Sequence, residues 1–207
     1  FIMSIVTLND RAVRSVTTFG SLNTGSMVFI KKLTASSSST LSFVDGSSDV
    51  VLDSTYKEYI FMFRDIHPSG DGAHFSFNFS VDGGSNYNVT KTSSMFYARH
   101  DEADSATALN YNTSGDIAQG TGIQTFARSL GNDNDSSAGG YLHLFNPSST
   151  TFVKHYMGTV NYLEANDYTY NTFVAGYGNT TSAIDAVQFK MDSGNIDAGD
   201  ICLYGIN

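Results

Sequence analysis

Strand-like patterning is strongest in residues 56–81, which read YKEYIFMFRDIHPSGDGAHFSFNFSV. From His74 to Val81 polar and apolar residues alternate strictly, and this period of two predicts a strand with one buried and one solvated face. From Tyr59 to Ile66 the residues are apolar at both parities, which is typical of a strand covered on both faces. The intervening residues 67–72 contain one proline and two glycines, which favour chain reversal. We therefore predict a hairpin of two long strands.

The rest of the chain repeats this character. Turn residues separate roughly ten strand-like segments at the spacing of 8–12 residues that is typical of sandwiches and barrels. At 207 residues the chain fits one all-β domain. We predict an antiparallel two-sheet sandwich of jelly-roll type over residues 25–207. Residues 100–121 are the least strand-like, and we expect a long connection there with a short helix near His100–Leu109, because acids early in that segment favour a helix N-terminus.

Composition excludes several functional classes. Twenty acidic residues against eleven basic ones give a net charge of −9, which disfavours nucleic acid as a partner because nucleic-acid binding needs a basic surface. Only 15% of residues are charged, against about 25% in ordinary domains, and small hydroxyl residues and aromatics replace them, as in extracellular or virion β scaffolds. No run of apolar residues is long enough for a transmembrane helix, so we expect no membrane partner. The single cysteine, Cys202, is expected to be a buried thiol.

The sequence carries no catalytic signature. It has no GxSxG nucleophile motif, and its five histidines are scattered. Few glutamates and no tryptophan argue against a sugar-cleaving cleft, although the spacing of paired carboxylates is set only by tertiary structure. We predict that the protein is not an enzyme and needs no cofactor.

One loop is a weak candidate for a metal site. Asp133 and Asp135 lie in an Asn-Asp-Asn-Asp run whose oxygens are of the type that Ca²⁺ prefers. No glutamate closes the run as an EF-hand requires, and turn-forming residues explain the same composition. We predict no bound metal.

The N-terminal residues 1–24 lie outside the strand pattern. They combine an apolar patch with two of the chain's arginines, and we interpret them as an arm that attaches the protein to a partner. The alternative is a frayed terminus laid on the domain. The candidate attachment residues are Ile5, Val6, Leu8, Arg11 and Arg14.

Tyrosines near turn residues suggest a second kind of contact. Tyrosine presents a flat apolar ring with a polar tip, which suits protein interfaces and stacking on sugars. Burial in an aromatic core is the competing explanation. The candidate glycan or partner contacts are Tyr168, Tyr170, Tyr177 and Asn179.

Nine blocks of the sequence carry a resemblance to a known family, and they cover roughly residues 50–207. They are Tyr56–Phe63, Ile66–Pro68, Asp71–Phe77, Asp82–Tyr87, Ala118–Gly122, Gly131–Asp135, Tyr141–Pro147, Ala175–Gly178 and Ile184–Met191. In these blocks the chain resembles small virion structural proteins of marine bacteriophages.

This resemblance implies a non-enzymatic component of the virion, either a capsid decoration, a head fibre or a tail appendage. The partners it implies are other capsid or tail proteins and further copies of the same chain. The alternative function is a glycan-binding module of a receptor-binding tail fibre or spike, which would recognise a glycan on the host surface.

Overall fold

The computed structural model describes residues 26–207, and within that range the chain consists of antiparallel strands without a helix. The described residues form twelve strands: β1 (Met27–Thr34), β2 (Leu41–Val44), β3 (Glu58–Pro68), β4 (Ala73–Ser80), β5 (Lys91–Asp101), β6 (Thr107–Tyr111), β7 (Gln124–Leu130), β8 (Ala138–Phe145), β9 (Lys154–Glu164), β10 (Tyr168–Gly178), β11 (Ala186–Met191) and β12 (Ile196–Ile206). The prediction of an all-β antiparallel protein is confirmed.

The strands form one sheet that curls until it is nearly closed, like a barrel. The order along it is β1-β12-β3-β8-β9-β7-β4-β11-β2, while β10, β5 and β6 continue from the other edge of β9. The step from β9 to β7 rests on a single residue pair, Glu164 with Leu130. Eight neighbouring strands, from β1 to β6 by way of β9, therefore make a broad wall opposite the four strands β7-β4-β11-β2.

The predicted hairpin of β3 and β4 is wrong. Strand β3 pairs with β12 and β8, whereas β4 pairs with β11 and β7. The two strands face each other across the core, where the rings of Phe63 and Phe75 meet with centroids 5.2 Å apart. The turn between them makes its hydrogen bonds elsewhere, since Ser69 N donates to Asn195 O at 3.0 Å and Gly72 N donates to Leu130 O at 3.0 Å.

The burial of the two strands is also the reverse of what their patterns predict. In β3 one face is buried, at Tyr59, Phe61 and Phe63, while Ile60 and Met62 on the other face are only half-buried. In β4 both faces are buried, including the polar face that the alternation assigned to solvent.

The polar face of β4 is buried because other segments cover it. Asn78 Nδ2 donates to the carbonyl oxygens of Tyr87 at 2.6 Å and of Thr121 at 3.1 Å. Ser76 and Ser80 on the same face are fully buried. The backbone of two long connections thus satisfies side chains that the linear pattern could only assign to water.

Residues 100–109 do not form the expected helix. His100 and Asp101 end β5, and Thr107 begins β6. The carboxylate of Asp101 accepts the backbone N–H groups of Ser105 at 2.9 Å and Ala106 at 2.8 Å, so the acid closes a tight turn between two strands.

Aromatic rings fill the core. Phe189 on β11 lies near its centre, with centroids 5.3 Å from those of Phe61 and of Phe63 and 6.0 Å from that of Phe75. Gly158 on β9 makes room for Phe126, because a Cβ atom there would lie 2.8 Å from the Phe126 ring. One continuous cluster of buried residues joins both walls of the sheet.

The predicted attachment residues, Ile5, Val6, Leu8, Arg11 and Arg14, lie outside the described residues. Within residues 26–207 no helix is long and apolar enough to span a membrane.

Candidate binding surfaces

The four predicted contact residues on and beside β10 do not form one site. Tyr168 and Tyr170 lie at the start of the strand, whereas Tyr177 lies at its end and Asn179 follows it. At about 3.3 Å per residue, seven residues separate Tyr170 from Tyr177 by about 23 Å. Their opposite parity also places these two tyrosines on opposite faces of the sheet.

Tyr177 and Asn179, at the end of β10, belong to a polar network. Asn179 Nδ2 donates to Gln119 Oε1 at 2.7 Å, and Gln119 Nε2 lies 3.5 Å from the hydroxyl of Tyr177. The Tyr177 ring packs edge-on against His155, with centroids 6.0 Å apart. These polar atoms are therefore engaged with protein neighbours.

The start of β10, which carries Tyr168 and Tyr170, borders a cleft of about 290 Å³. Strands β5, β7, β9 and β10 and the connection after β6 supply its walls. We call it the tyrosine cleft and define it by Tyr97, Tyr162, Tyr170, Arg128, Glu164 and Thr172. Tyr170 was predicted as a contact residue. Thr172 lies on the same strand, and the other four come from β5, β7 and β9.

The rings of the tyrosine cleft support one another. Tyr170 stacks on Tyr162, with centroids 5.4 Å apart and ring planes inclined by 17°, and lies 5.1 Å from the Tyr97 centroid. Arg99 Nη1 donates to the Tyr170 hydroxyl at 2.9 Å, and the same guanidinium lies over the Tyr168 ring at 4.8 Å. Tyr168 therefore helps to fix Arg99, and through it Tyr170, rather than lining the cleft.

Two hydroxyl groups at the bottom of the cleft are deeply buried. Tyr162 accepts the backbone N–H of Arg128 at 3.0 Å, and burial raises the pKa of its phenol to about 12, so the phenol stays protonated at neutral pH. The Thr172 side chain is 1% exposed, and its hydroxyl has no hydrogen-bond partner of normal geometry. It lies close enough to Tyr162 to offset part of the rise in that phenol's pKa.

The charges of the cleft are balanced and held in place. Arg128 Nη1 donates to Asn112 Oδ1 at 2.9 Å and also to Ser114 Oγ. The Glu164 carboxylate accepts the backbone N–H of Asn166 at 2.9 Å. One cation and one anion thus line a largely uncharged cavity.

A second surface lies on the outer side of the eight-strand wall. Registered pairs align Phe29, Tyr204, Ile60, His143, Met157 and Ala175 in one row across β1, β12, β3, β8, β9 and β10. A neighbouring row aligns Met62, Tyr141, Thr159, Phe173, Phe96 and Tyr111 across β3, β8, β9, β10, β5 and β6. We call these two rows the apolar belt.

Several large side chains of the apolar belt are open to solvent. Phe29, Phe96, Tyr111, Tyr141 and Met157 are between 41% and 55% exposed. Phe96 stacks on Phe173 with centroids 4.8 Å apart, and a hollow of about 340 Å³ lies between these rings and Met157. Scattered exposed apolar residues are ordinary, but a contiguous row of them is typical of an interaction surface.

The belt explains why β3 is apolar at both parities. Ile60 and Met62 belong to the outer rows, so the strand has one face in the core and one in the belt. The sequence pattern correctly indicated that both faces of β3 are apolar. It also predicted that both faces would be buried within the domain, whereas the face with Ile60 and Met62 is only half-buried.

The loop that contains Asp133 and Asp135 forms a turn, in which Asp133 O accepts the N–H of Ser136 at 2.8 Å. Within residues 26–207 no group of three or more histidine, cysteine, aspartate or glutamate side chains is arranged to hold a metal ion.

No protein-family model, curated protein or solved structure matches the chain.

Proposed function

We propose that the protein is a non-enzymatic structural component of a bacteriophage virion, as a capsid decoration, head fibre or tail appendage, held on the particle by protein–protein contacts. The sequence resemblance supports the virion setting. The apolar belt is the observation that carries the protein–protein contacts, because its large exposed side chains lie in register across neighbouring strands.

The proposal includes a finer architecture, an antiparallel two-sheet sandwich of jelly-roll type. Two observations support it. The single pair Glu164–Leu130 is a slender link between the wall that contains β9 and the strands β7-β4-β11-β2. The Phe63 ring of β3 also packs edge-on against Phe75 of β4 and Phe189 of β11 across the core, as in two packed layers.

Further copies of this chain are the first partner that we propose for the belt, and other capsid or tail proteins are the second. Interface cores are depleted in charge and enriched in aromatic residues and methionine, which is the composition of the belt around Phe96, Tyr141 and Met157. Residues 1–24 would add an attachment segment, with Ile5, Val6 and Leu8 supplying apolar contacts and the arginines supplying charge.

The belt is tested by light scattering on the purified protein. We expect an oligomer for the wild type and a smaller species for the double variant Phe96→Ser, Met157→Ser, with an unchanged melting temperature because both side chains lie outside the core. Phe152→Ser is the matched control, since Phe152 is 68% exposed but outside the belt. A monomeric wild type, or a double variant with unaltered mass, would remove the belt as a homo-oligomer contact.

The N-terminal segment needs a test on particles. Virions assembled with a protein that lacks residues 1–24 should contain much less of it than wild-type virions. Incorporation at normal stoichiometry would show that the segment has no attachment role.

A glycan-binding module of a tail fibre or spike is the second candidate function, and the tyrosine cleft favours it. The cleft combines aromatic faces with hydroxyl and amide groups, which is the mixture that carbohydrate recognition requires. Adsorption of labelled protein to host cells tests this function, and the absence of both adsorption and binding to a glycan array would exclude it.

A further inference from the structure

We propose that the tyrosine cleft binds a pyranose ring of a neutral saccharide, with Tyr97 and Tyr170 as stacking surfaces and the hydroxyl groups of Thr172 and Tyr162 as hydrogen-bonding partners. This inference rests on the glycan-binding candidate and assigns the class of ligand and the residues that recognise it.

The unpaired hydroxyl of Thr172 points to a polar ligand. A buried polar group without a hydrogen-bond partner is unfavourable, and Thr172, which lines the cleft, is almost fully buried and has no partner of normal geometry. The Tyr162 hydroxyl accepts a backbone N–H from Arg128 at 3.0 Å, and the Thr172 hydroxyl lies beside it. A sugar hydroxyl both donates and accepts, so one ligand group could satisfy both side chains.

Aromatic surface supplies the second element of recognition. Tyr97 and Tyr170 are half-buried, and both line the cleft. A pyranose ring presents C–H groups on one face and hydroxyls at its edge. It therefore matches a cavity that has rings on its walls and hydroxyl groups at its bottom.

Charge selects a neutral ligand. Arg128 is opposed by Glu164 within the same cleft, so an anionic sugar would gain one contact and meet one repulsion. The net charge of −9 further disfavours the approach of anions. A volume of about 290 Å³ lies just below the ~300–1,000 Å³ range of small-molecule sites, which suits a ligand of one or two rings.

The cleft is already organised for binding. Arg99 fixes the Tyr170 hydroxyl at 2.9 Å, and Arg128 is held by Asn112 at 2.9 Å. Ser129 on β7 lines the same cleft with a φ of 53°, a conformation that non-glycine residues adopt only when their surroundings impose it. A site whose side chains are fixed beforehand loses little entropy when a ligand binds.

The test is saturation-transfer difference NMR and titration on the full chain. The neutral probes are the methyl glycosides of glucose, galactose, mannose and N-acetylglucosamine, and the anionic probe is N-acetylneuraminic acid. We expect at least one neutral glycoside to bind. Thr172→Val should weaken that binding about tenfold, as loss of one hydrogen bond of about 1.4 kcal/mol predicts, and Tyr97→Leu should weaken it as well.

Thr169→Val is the matched control, because Thr169 lies on the same strand but on the opposite, exposed face; its binding should equal that of the wild type. Thr172→Val is nearly isosteric and removes a hydroxyl that has no hydrogen-bond partner of normal geometry, so its melting temperature should change little. Binding of N-acetylneuraminic acid alone would overturn the neutral class and leave the glycan-binding function standing. Binding that both cleft variants preserve would overturn the site, and failure of every probe to bind would overturn the inference.

Discussion

The ammonium group of Lys91 donates a hydrogen bond to Asn78 Oδ1 at 2.5 Å, at a place where both side chains are buried. Its second acceptor is the carbonyl oxygen of Val89 at 2.9 Å. Burial without a carboxylate partner lowers the pKa of Lys91 from 10.5 to about 8. A charge held only by neutral oxygens makes the stability of the fold depend on pH.

We expect the free energy of unfolding to rise between pH 8 and pH 10. In this window folded Lys91 has lost its proton while the unfolded chain keeps it, so the unfolded state binds more protons and stability increases with pH. At about 1.4 kcal/mol per pKa unit, the gain is on the order of 2 kcal/mol. Above about pH 10 the trend should reverse, because burial raises the pKa of Tyr162 to about 12 and only the unfolded chain ionises there. Urea unfolding at several pH values measures this profile.

The control for this profile is Lys91→Met, which keeps most of the side-chain volume and removes the titrating group. The variant should lose most of the increase in the free energy of unfolding between pH 8 and pH 10. The increase that remains is assigned to Lys154, because burial also lowers the pKa of that side chain. A wild-type profile that is flat from pH 8 to pH 10 would contradict the prediction.

Asn78→Ala should destabilise the protein by about 2–4 kcal/mol. The change removes the donor to Tyr87 O and Thr121 O and leaves the buried Lys91 ammonium with one acceptor fewer, and unpaired buried groups carry costs of this order. Chemical denaturation provides the measurement. Asn110→Ala is the control, because the Asn110 side chain is exposed; equal losses in both variants would refute the role of Asn78.

Phe189→Ala should cost about 3–5 kcal/mol, as is usual for removal of a large aromatic residue from a core. Phe189 is fully buried and contacts Phe61 and Phe63 at centroid distances of 5.3 Å. Phe152→Ala, at a position that is 68% exposed, should change stability by less than about 0.5 kcal/mol. Thermal and urea unfolding of both variants measure the difference, and a loss below about 1 kcal/mol for Phe189→Ala would mean that the core is less tightly packed than these distances indicate.

Cys202 should react with a thiol reagent only after unfolding. Its thiol is free and the side chain is 2% exposed, and an inaccessible thiol is unreactive. Titration with Ellman's reagent, with and without denaturant, measures this directly. Full reaction within seconds under native conditions would contradict the burial.

Several features of this protein follow from its sequence alone. Period-two alternation and turn residues predict an all-β antiparallel domain, and the structure confirms it. The apolar residues at both parities of β3 indicate two apolar faces, and both exist. These features are local, because alternation along one strand depends only on the geometry of that strand.

Tertiary structure decided the rest. Which strands pair is a property of the whole chain: β3 and β4 are neighbours in sequence, yet they lie on opposite sides of the core because their turn is hydrogen-bonded to other segments. Asn78 is buried because two distant connections cover it. The tyrosine cleft joins Tyr97, Arg128, Tyr162 and Thr172 from four strands. Tyr162 and Thr172 lie on the paired strands β9 and β10, but Tyr97 and Arg128 are dozens of residues away from them and from each other in the chain. No linear spacing encodes their meeting, because it depends on which strands pair and on how the sheet curls.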